Sequence, residues 1–284
     1  MSKVSIVGTE RGGDGKTTLT LLLAELRRAR GHLPVVVDAD DKASADTRLA
    51  QLLPYHEIRW LGAGPDADAI QEDPDALARH WDALAEIARE NDVIVDLGAN
   101  TAQRLLQYLE TARRGWKRRG IEVEWLVPFM ADADSFAKAL KTLESASAVL
   151  GADATLVAVR NERGGRFGGW DGSAEMQRLH DLERNGVYLH TIPNCRAPEN
   201  AWLALKRAEL NPVMLTGLDD DDIVDLAGKL ELDDLVVERM YNAVVKWVDA
   251  CTTALDPYLP AIEKPKGKSK GQAEKQTQAT HDGE

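Results

Sequence analysis

The stretch that decides the fold is "VGTERGGDGKTTLTLLLAELRR", residues 7–28. An apolar run over 4–7 enters it, three glycines crowd its middle, and an amphipathic stretch leaves it. Strand, glycine loop and helix in that order make a phosphate cradle. Gly12, Gly13 and Gly15 lack Cβ atoms, so backbone N–H groups can close on phosphate oxygens. The helix that follows adds the positive end of its dipole. Lys16 is placed to bridge β- and γ-phosphates, Thr17 to ligate Mg²⁺, and Thr18 to reach the α-phosphate. The common template, G-x-x-x-x-G-K-[ST], nevertheless fails, because Glu10 stands where its first glycine belongs. Beside it, Arg11 puts a second cation on the rim of the cradle.

Outward from this loop, short apolar runs recur at 34–37, 92–95, 123–127, 155–159 and 187–192. Runs apolar at consecutive positions suit strands buried on both faces of a parallel sheet. Between them, 18–30, 74–89, 102–113, 135–150 and 174–185 have helical patterning. The alternation predicts an α/β fold, a doubly wound, mainly parallel sheet with helices on both faces. Residues 1–216 are expected to form this nucleotide-binding domain. Four acids at 219–222 can open a helix, since carboxylates suit a helix N-terminus. Residues 217–262 are expected to add one or two amphipathic helices, with Val236, Val237, Met240, Val244, Trp247 and Val248 as the apolar stripe. The segment 263–284 has almost nothing apolar and is expected to be a disordered tail.

Bulk chemistry excludes several classes. The chain has 284 residues, 44% hydrophobic and 29% charged, with a net charge of -12. That acidity argues against a protein that coats DNA by bulk electrostatics, though it leaves room for a local basic patch. Two cysteines, Cys195 and Cys251, stand far apart, and six histidines form no H-E-x-x-H. A disulfide framework, a structural zinc and a transition metal are therefore not expected. The apolar run near the N-terminus is too short for a signal peptide, and no run is long enough for a membrane span. A cytoplasmic protein with no membrane partner is expected.

Two further anchors match the loop. The second predicted strand delivers Asp38 and Asp40 to its C-terminal end, where open α/β sheets bind ligands. "DVIVDLGA", residues 92–99, is an apolar strand ending in Asp96, and Gly98 lets a loop approach a γ-phosphate.

Together these residues resemble the ParA/MinD family. "RGGDGKTT" is similar to its deviant Walker A motif, [K/R]-G-G-x-G-K-[ST]-T, with Arg11 at the extra-cation position and Asp14 at the variable one. The resemblance implies an ATPase that uses ATP and Mg²⁺ and closes into a homodimer in the ATP state. In it the Arg11 cation reaches the partner subunit's nucleotide, as an arginine finger does. Asp40 then orients the attacking water, Asp38 holds magnesium waters, and Asp96 serves as the Walker B aspartate. Asp41 and Asn100 carry no matched role. In "VAVRNERGG" the resemblance places Asn161 against adenine, and in "LHTIPNCRAPENAW" it places Pro193 and Asn194 beside base and ribose. It spans about three quarters of the chain. The iron–sulfur branch of the family is set aside for want of paired cysteines, and MinD-like membrane targeting for want of a basic C-terminal helix.

Cargo is less legible. Arg113, Arg114, Lys117, Arg118 and Arg119 surround Trp116 in the densest basic cluster, a candidate for nonspecific DNA phosphates. The same cluster also suits the solvated C-terminal end of a helix. Arg160, Arg163 and Arg166 form a second cluster, or a loop over the nucleotide. Three functions remain open: an ATPase that positions a plasmid, chromosome, conjugation complex or other assembly, with a partner protein that stimulates hydrolysis or supplies cargo; an ATP-dependent dimeric binding module with negligible turnover; and a small-molecule P-loop kinase.

Overall fold

The computed structural model describes residues 1–40, 49–73, 75–99 and 101–261. Asp41, Asn100 and the tail 263–284 lie outside the described residues.

Seven parallel strands form one sheet in the order β3-β2-β4-β1-β5-β6-β7. They are β1 (Ser2–Val7), β2 (Val35–Ala39), β3 (Ile58–Trp60), β4 (Val93–Leu97), β5 (Ile121–Phe129), β6 (Ala154–Asn161) and β7 (Tyr188–Ile192). The six apolar runs of the sequence each became a strand. β3 did not announce itself, because it is three residues long, sits at the sheet edge and keeps Arg59 and Trp60 exposed. Half-buried edges carry little of the apolar run that marks a central strand.

The helices are α1 (Lys16–Ala29), α2 (Ala67–Glu72), α3 (Ala76–Glu90), α4 (Ala102–Arg118), α5 (Ala133–Leu150), α6 (Ala174–Arg184), α7 (Glu199–Arg207), α8 (Asp220–Leu230) and α9 (Asp234–Leu255). Alternate strand residues point to opposite faces, and each face has its own core. Val4, Ile6, Val35, Val37, Val93, Val95, Trp125 and Val127 pack with Trp81 of α3, Leu105 of α4, Phe136 of α5 and Leu179 of α6. Val7, Val36, Ile94, Leu126, Val157 and Val159 pack with Leu19 and Leu22 of α1, Leu205 of α7, and Val244 and Trp247 of α9. Each fully buried Leu or Val of this kind is worth about 1.5–3 kcal/mol against exposure. The C-terminal helices therefore share a core with α1. α8 opens with a capping box, Asp219 accepting from the Asp222 amide at 3.0 Å and Asp222 from the Asp219 amide at 3.2 Å.

Strand order turns around β1, which lies between β4 and β5. In an open α/β sheet the crevice at such a turn, at the C-terminal strand ends, is where ligands bind. Both the glycine loop after β1 and Asp96 at the end of β4 fall there.

Candidate functional site

Gly15 caps α1 in the left-handed region, at φ 95°, with no side chain satisfying the first-turn amides. Those amides are left for a ligand. A trough of about 390 Å³ opens above them, lined by Gly12, Gly13, Gly15, Lys16, Thr17 and Thr18 from the loop. Asp38 and Asp40 from the end of β2, and Asp96, Leu97 and Ala99 from β4 onward, form its other wall. Thus the tertiary structure brings Lys16, Thr17, Asp38, Asp40 and Asp96 to one cavity.

The polar contacts inside it are specific. Thr17 Oγ1 donates to Asp96 Oδ2 at 2.9 Å, and the Asp40 amide donates to Asp38 Oδ1 at 3.1 Å. Lys16 is buried, and its Nζ donates to the carbonyl of Arg11 at 2.5 Å. Burial pulls the Lys16 ammonium below its usual range, while Asp96, Asp14 and Asp40 push it back up. Asp96 is pushed up to about 7, by burial first, then by the charge of Asp38, against the Thr17 hydrogen bond and Lys16.

This donor set fits Mg²⁺. Asp96 Oδ1 is buried with no hydrogen-bond partner among the described residues, beside a threonine hydroxyl and two more carboxylates. No group of three His, Cys, Asp or Glu among the described residues makes a metal cage. Mg²⁺ does not ask for one, since it keeps several waters and takes one or two protein oxygens plus substrate phosphates.

A second cavity of about 200 Å³ continues from the first, sharing Gly15, Thr18 and Arg163 with it. Asn161, Pro193 and Asn194 line it, beside Leu19, Pro128, Val159 and Ile192. Asn161 is committed to the protein: Nδ2 donates to the Asp14 carbonyl at 3.0 Å, and Oδ1 accepts from the Arg163 amide at 3.1 Å. Sequence reasoning missed Trp202, Lys206 and Trp247, which close the far wall from α7 and α9. Trp247 Nε1 donates to the Pro193 carbonyl at 2.8 Å, and the two indoles meet edge to face with centroids 6.1 Å apart. Trp247 belonged to the apolar stripe already read in the sequence; for Trp202 the only signal was an aromatic just past "PEN".

Two loop side chains turn away from the trough. Asp14 does not place its carboxylate in the trough: it is fully buried and accepts from Ser135 Oγ at 2.8 Å, so only its backbone can serve a phosphate. Arg11 turns back onto its own chain, where Nη1 donates to Asp132 at 2.5 and 2.6 Å and Nε lies 3.2 Å from Asp134. Glu10 pairs with Lys141 at 3.4 Å and leaves Arg11 to these carboxylates.

The basic cluster ends α4, at the N-terminal end of the strands and so opposite the trough, because α4 leads into the start of β5. Lys117 pairs with Asp153 at 2.6 Å and Arg119 with Glu86 at 3.0 Å. Trp116 is not an exposed aromatic among these cations; it is buried, with Nε1 donating to Tyr108 Oη at 3.1 Å. No helix among the described residues is long and apolar enough to cross a membrane.

No protein-family model matches the chain. Over 111 residues it is 29% identical to Protein TraL of Escherichia coli, a stretch covering 38% of this chain and 42% of TraL. The chain thus matches less than half the length of that relative. Among solved structures it is similar to the ParA family ATPase of Chlorobium tepidum, with TM-score 0.46 and 14% identity over 87% of this chain and 97% of that one. It is also similar to a chain of the MinC:MinD cell division protein complex of Aquifex aeolicus, with TM-score 0.44 and 11% identity over 89% and 96%.

Proposed function

We propose that the chain is a ParA/MinD-type ATPase that binds ATP with Mg²⁺, closes into a sandwich homodimer and hydrolyses ATP slowly to position a cargo. The observation that carries this reading is the continuity of the two cavities. A polar trough with one lysine, two threonines and three carboxylates runs past Gly15, Thr18 and Arg163 into a cavity walled by Pro193, Val159 and two indoles. That is the shape and polarity of a nucleoside triphosphate, charged at one end and flat and apolar at the other.

In this reading Lys16 neutralises the β- and γ-phosphates, and the first-turn amides of α1 hold their oxygens. Thr17 and Asp96 hold Mg²⁺, with Asp38 gripping its waters; the ion would neutralise charge that develops between the phosphates. Asp40 orients the attacking water. Arg11 leaves Asp132 and crosses to the second copy's nucleotide. Contact with nonspecific DNA runs through Arg113, Arg114, Lys117, Arg118 and Arg119 at the opposite, N-terminal end of the strands. The alternative, a dimeric module with negligible turnover, is favoured by one fact alone: Arg11 starts in a carboxylate clasp that its transfer must break.

The test is ATP turnover and sedimentation, with and without DNA, for wild type, Lys16→Ala, Arg11→Ala and Asp40→Ala. Lys16→Ala should lose nucleotide binding. Arg11→Ala should bind nucleotide yet stay monomeric, and Asp40→Ala should remain an ATP dimer without turnover. Wild-type binding of ATP with no turnover under any condition would select the binding module, and no ATP binding at all would end the proposal.

A further inference from the structure

Asp14 occupies the variable position of the loop, and unlike the buried Asp38 and Asp96 it lies in an ion pair with Arg11. It is 0% exposed. Oδ1 accepts from Ser135 Oγ, a hydroxyl that itself accepts from the Met130 amide at 2.8 Å, so its one proton is committed to Asp14. Oδ2 has no hydrogen-bond partner among the described residues. The opposite charge beside it is Arg11, with Nη1 3.6 Å from Oδ1. The other charged groups acting on it are Lys16 from the foot of α1 and Asp132 from the cap of α5, while Asp134 faces Arg11 from the same helix.

We infer that Asp14 is a positioning residue for Arg11: it is the buried counter-charge that holds the guanidinium in cis, and it takes up a proton from solvent when Arg11 leaves for a second copy's nucleotide. This rests on the proposed transfer of Arg11 across a dimer.

Three carboxylates clasp Arg11, and they respond differently to its departure. Asp132 and Asp134 are 42% and 58% exposed, so water covers them once the cation is gone. Asp14 has no such recourse. A buried carboxylate stripped of its cation is costly, and the group neutralises by binding a proton rather than standing bare. Closure strips it twice, because Lys16 is drawn onto phosphate oxygens as Arg11 moves out. The phosphates bring negative charge to the same loop, which acts in the same sense. Burial already pushes Asp14 above its ordinary value, with the Ser135 hydrogen bond, Arg11 and Lys16 holding it down. Dimer formation therefore consumes one proton per copy and tightens as pH falls.

Asp96 titrates nearby and opposes this trend through Mg²⁺, so the measurement is a difference between variants. The full chain is loaded with saturating AMPPNP and Mg²⁺, and its dimer constant is measured by sedimentation velocity between about pH 6 and pH 8. Relative to Asp14→Asn, wild type should gain affinity toward acid, by up to about tenfold per pH unit for each proton taken up, one per copy and so two per dimer. Asp132→Asn should keep that slope. Parallel profiles for wild type and Asp14→Asn would overturn the proton uptake. A second reading needs no dimer: ¹³C carboxyl titration of Asp14 in the nucleotide-free protein, with and without Arg11→Ala. Asp14 should titrate at higher pH once Arg11 is removed, and an unmoved titration would overturn its role as counter-charge. A protein that binds AMPPNP yet stays monomeric at every pH removes the transfer and the coupled uptake, and the carboxyl titration then decides the counter-charge alone.

Discussion

Thr17 Oγ1 donates a 2.9 Å hydrogen bond to Asp96 Oδ2, joining the first turn of α1 to the end of β4. The bond satisfies one oxygen of a buried carboxylate and leaves the other without a partner among the described residues. Burial is the dominant reason Asp96 titrates at about 7.

That value sets a pH dependence of defined sign. Between about pH 4 and pH 7 the folded protein holds a proton on Asp96 that the unfolded chain has lost, so stability falls as pH rises through this window. Asp96→Asn should remove that slope and leave the nucleotide-free protein more stable near about pH 8, by on the order of a few kcal/mol. Urea denaturation at a series of pH values measures it. In the proposed function the ligand for Mg²⁺ is the Asp96 carboxylate, so Mg²⁺-dependent nucleotide affinity should fall below about pH 7. Identical stability profiles for wild type and Asp96→Asn would show that the carboxyl is not protonated in the fold.

Gly15 is fixed twice over. Its φ of +95° disfavours any side chain, and a Cβ there would lie 2.4 Å from Asn161 Nδ2. Gly15→Ala should cost about 1–3 kcal/mol and abolish nucleotide binding. Adding Asn161→Ala relieves the contact but not the backbone, so the double variant should recover only part of the stability. Full recovery in thermal melts would mean that the backbone strain is negligible.

Gly98 controls Asp40. Its amide donates to the Ala39 carbonyl at 3.0 Å, and a Cβ would meet Asp40 Oδ1 at 2.6 Å and Asp40 Cα at 2.9 Å. Because a backbone atom is in the way, Asp40 must move as a unit. Gly98→Ala should leave ATP affinity near wild type and lower kcat by about 100-fold, the usual scale for misplacing a water-positioning group by an ångström. An unchanged kcat would separate Asp40 from the water.

Asp132 does two jobs that a single substitution can separate. It caps α5 by accepting from the Ser135 amide at 3.0 Å, and it clasps Arg11. Asp132→Ala should lose about 1 kcal/mol of stability with the cap. Asp132→Ser keeps a cap and drops the ion pair, so its melting point should stay near wild type. If Arg11 crosses between copies as proposed, nucleotide-dependent dimerisation of Asp132→Ser should strengthen several-fold, since a half-exposed pair is worth at most about 1 kcal/mol. A weakened Asp132→Ser dimer would count against release of Arg11 as a step in closure.

The sequence by itself determined the fold class and the chemistry of the trough. Short apolar runs such as 34–37 and 93–95, rich in Val and bounded by polar residues, suit a strand covered on both faces. Glycines ahead of Lys16, Thr17 and Thr18 likewise specify a cradle through backbone freedom alone, which is a local property. Asp38 and Asp96 were legible because each follows an apolar run, with Asp40 two residues past the first, and parallel strands align their ends. What only the tertiary structure decided is everything that depends on where a side chain turns once packed. Asp14 and Arg11 stand three residues apart in one loop, yet the carboxylate is sealed under α5 and the guanidinium bridges to Asp132, more than a hundred residues away. Trp202 and Trp247 reach the second cavity from helices that no local pattern assigns to it. Local composition fixes backbone conformation and burial preference; the direction of a polar side chain is fixed by which distant charge waits beside it.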